Sequence, residues 1–456
     1  MKRAGHLTML AAAVLAVGLT AGAARGQDVT IVEFPDPAGF YQNTTFVIDG
    51  DAGYVPSTDN DVLWSFSLVT GELLDPDGLT LPAPGTSSDP FLFANDLLAI
   101  PGWFPSQGVF VADISDPTNL TQVGIIAFPP TTNIQGQNVE VDDDGVIGYV
   151  AGFPNDTLYS FNVSTLSLED PDGLALPGNP DRIARAGDRV AMVDTTNGRI
   201  MVADVSDPAD LALVGVIELP GYNTFGSNDN IVFADDGRTG FVSTNERVLY
   251  SFDVLTLSLL DPDGIAFGTQ SFADHVALYG DTAACIWSRG LAFIDVSAPT
   301  DMTLISNANF GGTVAPQGDA TVAFTADGTM VATPVVYPGN YVYTFEVATG
   351  NQVSPRLLVD DQPNYLTVFD PSDRVAVICS GVDADNIWLI DGLFPVVCVG
   401  DLDGDNDTDQ SDLGILLGDW GCDDPANGCA GDLDGDDDTD QADLGILLAD
   451  WGCPSS

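Results

Sequence analysis

The chain has 456 residues and a formal net charge of −55, with 12 Lys and Arg against 67 Asp and Glu. Its only lysine is Lys2 and its only histidines are His6 and His275. Phosphate-clamping nucleic-acid interfaces, P-loops, Schiff-base catalysis and histidine-built zinc sites therefore lack the residues they need, and adhesion to an anionic membrane would require a bridging divalent cation.

Residues 1–26 read as an export signal. Lys2 and Arg3 precede an apolar run from Leu7 to Leu19, and the small residues Ala21-Gly22-Ala23-Ala24 follow. Cleavage is expected between Ala23 and Gln27, giving a secreted or cell-surface protein, extracellular or periplasmic. No later stretch holds the run of about 18 apolar residues that a spanning helix requires, so no transmembrane segment is expected.

From residue 27 to 396 the dominant feature is an internal repeat. One series reads VLWSFSLVTGELLDPDG from Val62, TLYSFNVSTLSLEDPDG from Thr157, VLYSFDVLTLSLLDPDG from Val248 and YVYTFEVATG from Tyr341. An interleaved series reads GVFVADISDPTNL from Gly108, RIMVADVSDPADL from Arg199, GLAFIDVSAPTDM from Gly290 and NIWLIDG from Asn386. Successive units lie about 42 to 50 residues apart, the period of four-stranded propeller blades. Apolar and polar residues alternate over short runs, and Asp-Pro-Asp-Gly or Ser-Asp-Pro turns punctuate them. The fold class is thus all-β: an eight-bladed β-propeller, with seven blades as the alternative. The strand at about Val29 to Phe34 has no blade of its own before it. It is expected to complete the last blade, whose other strands lie between Tyr365 and Asp391, leaving no bare sheet edge. The segments VFVADISDPTNL and IMVADVSDPADL resemble LVIVD repeats, and VFADDGRTGFVSTNERVLYSFDVLTLSL resembles YVTN-type propeller repeats. That likeness implies blade architecture and leaves function open.

Residues 397–456 form a second, smaller unit. A tandem duplication runs from Cys398 to Cys422 and from Cys429 to Cys453, each copy holding a twelve-residue loop with acidic side chains at places one, three, five, seven, nine and twelve. These are Asp401, Asp403, Asp405, Asp407, Asp409 and Asp412, then Asp432, Asp434, Asp436, Asp438, Asp440 and Asp443. The spacing suits calcium, which takes six to eight hard oxygen ligands, so two ions are expected. Two carboxylates about 4 Å apart repel by roughly 4 kcal/mol at an effective dielectric near 20, and such a loop should close only around a cation. The duplication resembles type I dockerins, small α-helical modules in which a helix follows each loop, here Leu413 to Trp420 and Leu444 to Trp451. Asn406 and Asp437 stand where that family has a turn glycine, and Thr408 and Thr439 where it has an apolar residue. The resemblance implies a cohesin-like or cell-surface partner, selected in part by Gln410-Ser411 and Gln441-Ala442. The four cysteines bracket the copies, and pairing within each copy, 398 with 422 and 429 with 453, is the first of three possibilities. Cys285 and Cys379 read as separate buried thiols on apolar strands.

No catalytic constellation stands out. His275 is a candidate channel residue with a structural role as the simpler reading, and Trp64, Trp103, Trp287 and Trp388 read as blade packing. Two functions remain. One is a noncatalytic scaffold whose tail docks on calcium; the other is a dockerin-bearing carbohydrate-active hydrolase or lyase with a polysaccharide substrate.

Overall fold

The computed structural model describes the chain outside residues 1–27, 36–44, 58–60, 83–88, 103–107, 130–132, 154, 221–230, 269–272, 288, 311–320, 337–338, 360–361, 370–373, 381–385, 395–397, 399, 404–407, 423–428, 434–437, 452 and 454–456. The export signal and Trp103 lie outside the described residues.

Strands form where the alternation is strongest. In Val248–Asp253, successive side chains point to opposite faces of one sheet, and each face is covered by a neighbouring sheet. Eight antiparallel sheets of four or five strands result, all meandering in chain order except the last. They span residues 47–80, 91–127, 133–175, 180–218, 231–266, 273–309, 323–358 and 362–391, and are numbered here as blades 1 to 8. The eight-bladed expectation therefore holds over the seven-bladed alternative. Eight apolar clusters fill the junctions between consecutive blades. One of them packs Val32, Phe66, Ile378 and Leu389 between blades 8 and 1. The ring is closed.

Closure uses the expected device. Asp28–Glu33 pairs antiparallel with Asn386–Asp391, with Val29 opposite Ile390 and Ile31 opposite Trp388, and so becomes the outermost strand of blade 8. Across the same junction the Arg374 guanidinium donates to the Leu68 carbonyl at 2.9 Å.

The two repeat series clasp each other. In blade 3 the buried Ser160 hydroxyl donates to the Pro208 carbonyl of blade 4 at 2.5 Å and accepts from Asp170 N–H at 3.2 Å. Ser65 and Pro117 repeat the clasp between blades 1 and 2, and Ser251 and Pro299 between blades 5 and 6. The Asp-Pro-Asp-Gly and Ser-Asp-Pro turns are thus two halves of one joint. Glycine is required beside it: a Cβ at Gly148 would lie 2.1 Å from the ring tip of Phe161, and Gly53 and Gly240 face Phe66 and Phe252 in the same way.

Trp64, Trp287 and Trp388 are buried in blade junctions, and Cys285 and Cys379 are buried thiols outside any disulfide, as the sequence suggests. No helix among the described residues is long and apolar enough to cross a membrane.

Candidate metal centre

The tail holds two helices, α1 (Gln410–Gly418) and α2 (Gln441–Ala449). Both start three residues before the expected Leu413 and Leu444, and both stop two residues short of the expected tryptophans. The reason is capping. Asp409 and Asp440 are N-caps, and Asp412 and Asp443 complete capping boxes at the third helical position, so the first turn forms inside the acidic loop.

Those two aspartates are fully buried. Asp412 accepts N–H groups of Leu402 at 2.7 Å, Asp403 at 3.1 Å and Asp409 at 2.8 Å; Asp443 accepts those of Leu433 at 2.6 Å and Asp440 at 2.7 Å. Burial by itself raises the Asp412 carboxyl, but the backbone donors outweigh it and hold the group below the ordinary carboxylate range. The carboxylate of Asp412 is therefore kept ionised although buried.

In the first copy, carboxylate oxygens of Asp401, Asp403 and Asp412 lie within 4.8 Å of one another; in the second, those of Asp438, Asp440 and Asp443 do. Asp432 is described and half-buried, and Asp409 spends a carboxylate oxygen on Ser411 N–H at 2.6 Å as the cap of α1. Asp405, Asp407, Asp434 and Asp436, with the turn residues Asn406 and Asp437, lie outside the described residues. All-oxygen, anionic donor sets of this kind fit a hard divalent cation such as calcium rather than a soft metal. Two further groupings, Cys398 with Asp450 and Cys453, and Asp419 with Cys422 and Cys429, offer no such set. Their sulfurs are tied up in disulfides and no thiolate is available to ligate.

The disulfides correct the within-copy pairing: Cys398 joins Cys453 and Cys422 joins Cys429. The physical reason is a reciprocal arrangement of the two copies. Asp450, the C-cap of α2, accepts Gly400 N–H and the Thr408 hydroxyl, each at 2.7 Å. Asp419, the C-cap of α1, accepts Gly431 N–H at 2.9 Å and the Thr439 hydroxyl at 3.1 Å. Each loop is thus held by the end of the other helix, and the cysteines flanking those contacts are the ones brought together. Thr408 and Thr439 replace an apolar residue because their hydroxyls complete this exchange.

In the propeller, His275 lies on the innermost strand of blade 6, Ala273–Tyr279. Burial, and then the positive charge of Arg182 on the innermost strand of blade 4, lower its pKa to about 4, so it is neutral at physiological pH. Arg182 escaped the sequence reading. A signal was present in the repeat register, since Asp181-Arg182-Ile183-Ala184 aligns with Asp274-His275-Val276-Ala277.

With this geometry in view, the chain is a β-propeller built of repeats. The LVIVD repeat matches residues 181–218 and 272–309, which are blades 4 and 6. Similar solved structures share the fold at low identity. The C-terminal WD40 domain of Sif2 has a TM-score of 0.56 at 10% identity, covering 79% of this chain and 99% of that one. The computationally designed Ika8 protein has 0.55 at 12% identity, covering 76% and 97%. A functionally unknown protein from Desulfotomaculum acetoxidans has 0.51 at 14% identity, covering 67% and 95%. No curated protein matches the sequence.

Proposed function

We propose that this is an exported interaction scaffold in which the propeller is a rigid binding platform and the tail is a dockerin-like module that docks, when calcium-loaded, onto a partner protein or cell surface. Residues 397–456 constitute that module, and the twelve loop aspartates supply its ligands. The observation that carries the docking reading is an exposed apolar pair at the C-terminal end of each helix. Leu417 and Trp420 are 53% and 47% exposed, and their counterparts Leu448 and Trp451 are 53% and 46% exposed. Matched large apolar side chains held open on a small disulfide-bonded unit are characteristic of interaction surfaces. Calcium binding would neutralise the loop carboxylates, order the first turns of both helices and so present these pairs. The disulfides, which persist in oxidising surroundings, accord with export.

The test is calorimetric titration of the EDTA-stripped protein with calcium, followed by capture from the native secretome. Uptake near two ions per chain, a gain of helical circular dichroism, and capture lost on chelation or in the Leu417→Asp/Leu448→Asp variant are expected. Absence of stoichiometric uptake removes the metal reading; capture indifferent to calcium removes the docking reading.

A further inference from the structure

Closing the ring covers the Asn386–Asp391 edge of blade 8 and creates another, the outer edge of the closing strand itself, which differs from the outer edges of the other blades. In blades 1, 3, 5 and 7 the outermost place is held by pieces only two residues long, such as Leu79–Thr80 and Leu357–Leu358. In blades 2, 4 and 6 the outermost strand has seven residues but is bulged, since Val123, Val214 and Ile305 are each left out of the pairing with the neighbouring strand. Short and bulged edges are poor templates for another chain. Asp28–Glu33 has neither protection, because all six of its residues pair in unbroken register with Asn386–Asp391.

An edge of this kind is completed by adding a strand. Among the described residues no other strand pairs with Asp28–Glu33, and none of its residues bonds through its backbone to a turn or loop. The alternate N–H and C=O groups that face away from blade 8 are therefore unspent. The strand is also fixed in place: Val32 is fully buried between blades 8 and 1, and Val29 and Ile31 pack into the junction of blades 7 and 8. A partner would meet a preformed template and need not order it.

The ends of the strand select the occupant. Asp28 and Glu33 are exposed and stand at its two ends, and the Val-Thr-Ile-Val between them carries no charge. A second copy of the strand added antiparallel over its whole length would set Asp28 against Glu33 at both ends, and like charges directly opposite destabilise a strand pair. Lysine or arginine in those two places stabilises it instead. We propose that the free edge of Asp28–Glu33 binds an extended partner peptide as a further strand of blade 8, the peptide being uncharged and β-branched over four residues and basic at both ends. This rests on the reading of the propeller as a binding platform, gives that platform a defined edge, and needs neither the tail nor calcium.

The purified protein is titrated in EDTA, at about 0.15 M salt, against fluorescein-labelled Lys-Val-Thr-Ile-Val-Lys, with Glu-Val-Thr-Ile-Val-Glu as the acidic twin, and binding is read by anisotropy. Two further basic peptides are N-methylated at alternate residues, one at the second and fourth and the other at the third and fifth, so that each loses the donors of one edge only. A saturable rise with the basic peptide is expected, abolished by one methylation pattern and kept by the other, as pairing through a single edge requires. Simple attraction of a basic peptide to an acidic protein would treat the two patterns alike. Asp28→Lys/Glu33→Lys, which alters two exposed side chains, should weaken the basic peptide about tenfold or more and admit the acidic twin. No saturable binding up to about 1 mM, equal behaviour of the two methylated peptides, or unchanged binding in the double variant overturns the proposal. Calcium is absent throughout, so failure here leaves docking through the tail standing, and failure of that docking leaves this edge standing.

Discussion

Three buried serines, Ser65, Ser160 and Ser251, each hold the following blade by donating a hydroxyl to a proline carbonyl; the turn motifs were visible in the sequence, but their meeting was not, because it joins residues about 50 apart. His275 stood out as the one histidine beyond the first residues, but Arg182 was hidden, because the equivalent repeat position holds a chemically unlike side chain and no motif joins arginine to histidine. Glu140 was equally silent. It lies on the innermost strand of blade 3, half-buried, and burial raises its carboxyl to about 8 while the nearby Arg185 opposes that rise. A raised folded-state pKa means that the protonated acid suits the native site. Its contribution is complete below the unfolded value near 4.5 and drains away as pH climbs toward 8, at a rate of at most about 1.4 kcal/mol per pH unit. Glu140→Gln should therefore raise the melting temperature at pH 8 and leave it nearly unchanged at pH 4.5. A stabilisation independent of pH would refute the assigned ionisation.

At the scale of elements, the tail shows how local legibility ends at the border of a repeat. The two helices were readable copy by copy, since each rests on spacing within about 25 residues. The cross-pairing of cysteines was not, because it depends on Asp419 and Asp450 reaching into the opposite copy. The two bridges close segments of very different length, with sequence separations of 55 for Cys398–Cys453 and 7 for Cys422–Cys429. Chain-entropy reasoning assigns them about 4 and about 2 kcal/mol respectively. In calcium-free urea denaturation followed by helical dichroism, Cys398→Ser/Cys453→Ser should thus lose more stability than Cys422→Ser/Cys429→Ser. The reverse order would show that the short bridge restrains the unfolded tail more than loop length implies.

For the whole molecule, the blade count and the closing strand followed from period and register, because a propeller repeats one supersecondary unit and must cover both its edges. Removing residues 28–33 would strip blade 8 of its outermost strand and bare the Asn386–Asp391 edge together with Trp388 and Ile390. The truncated protein should melt several degrees lower and associate in light scattering, a result that a merely decorative strand would not give.

Blade 8 also sets an order of events. Its outermost strand leaves the ribosome first and its partner strand more than three hundred residues later, so the earliest segment must wait, unpaired, for nearly the whole propeller to be made. Contacts of such long sequence range form slowly. At high chain concentration the waiting strand of one molecule can enter the vacant place in another. Exchange of this strand between two rings is then the natural misassembly of the fold, a swapped dimer whose every residue sits in its native surroundings.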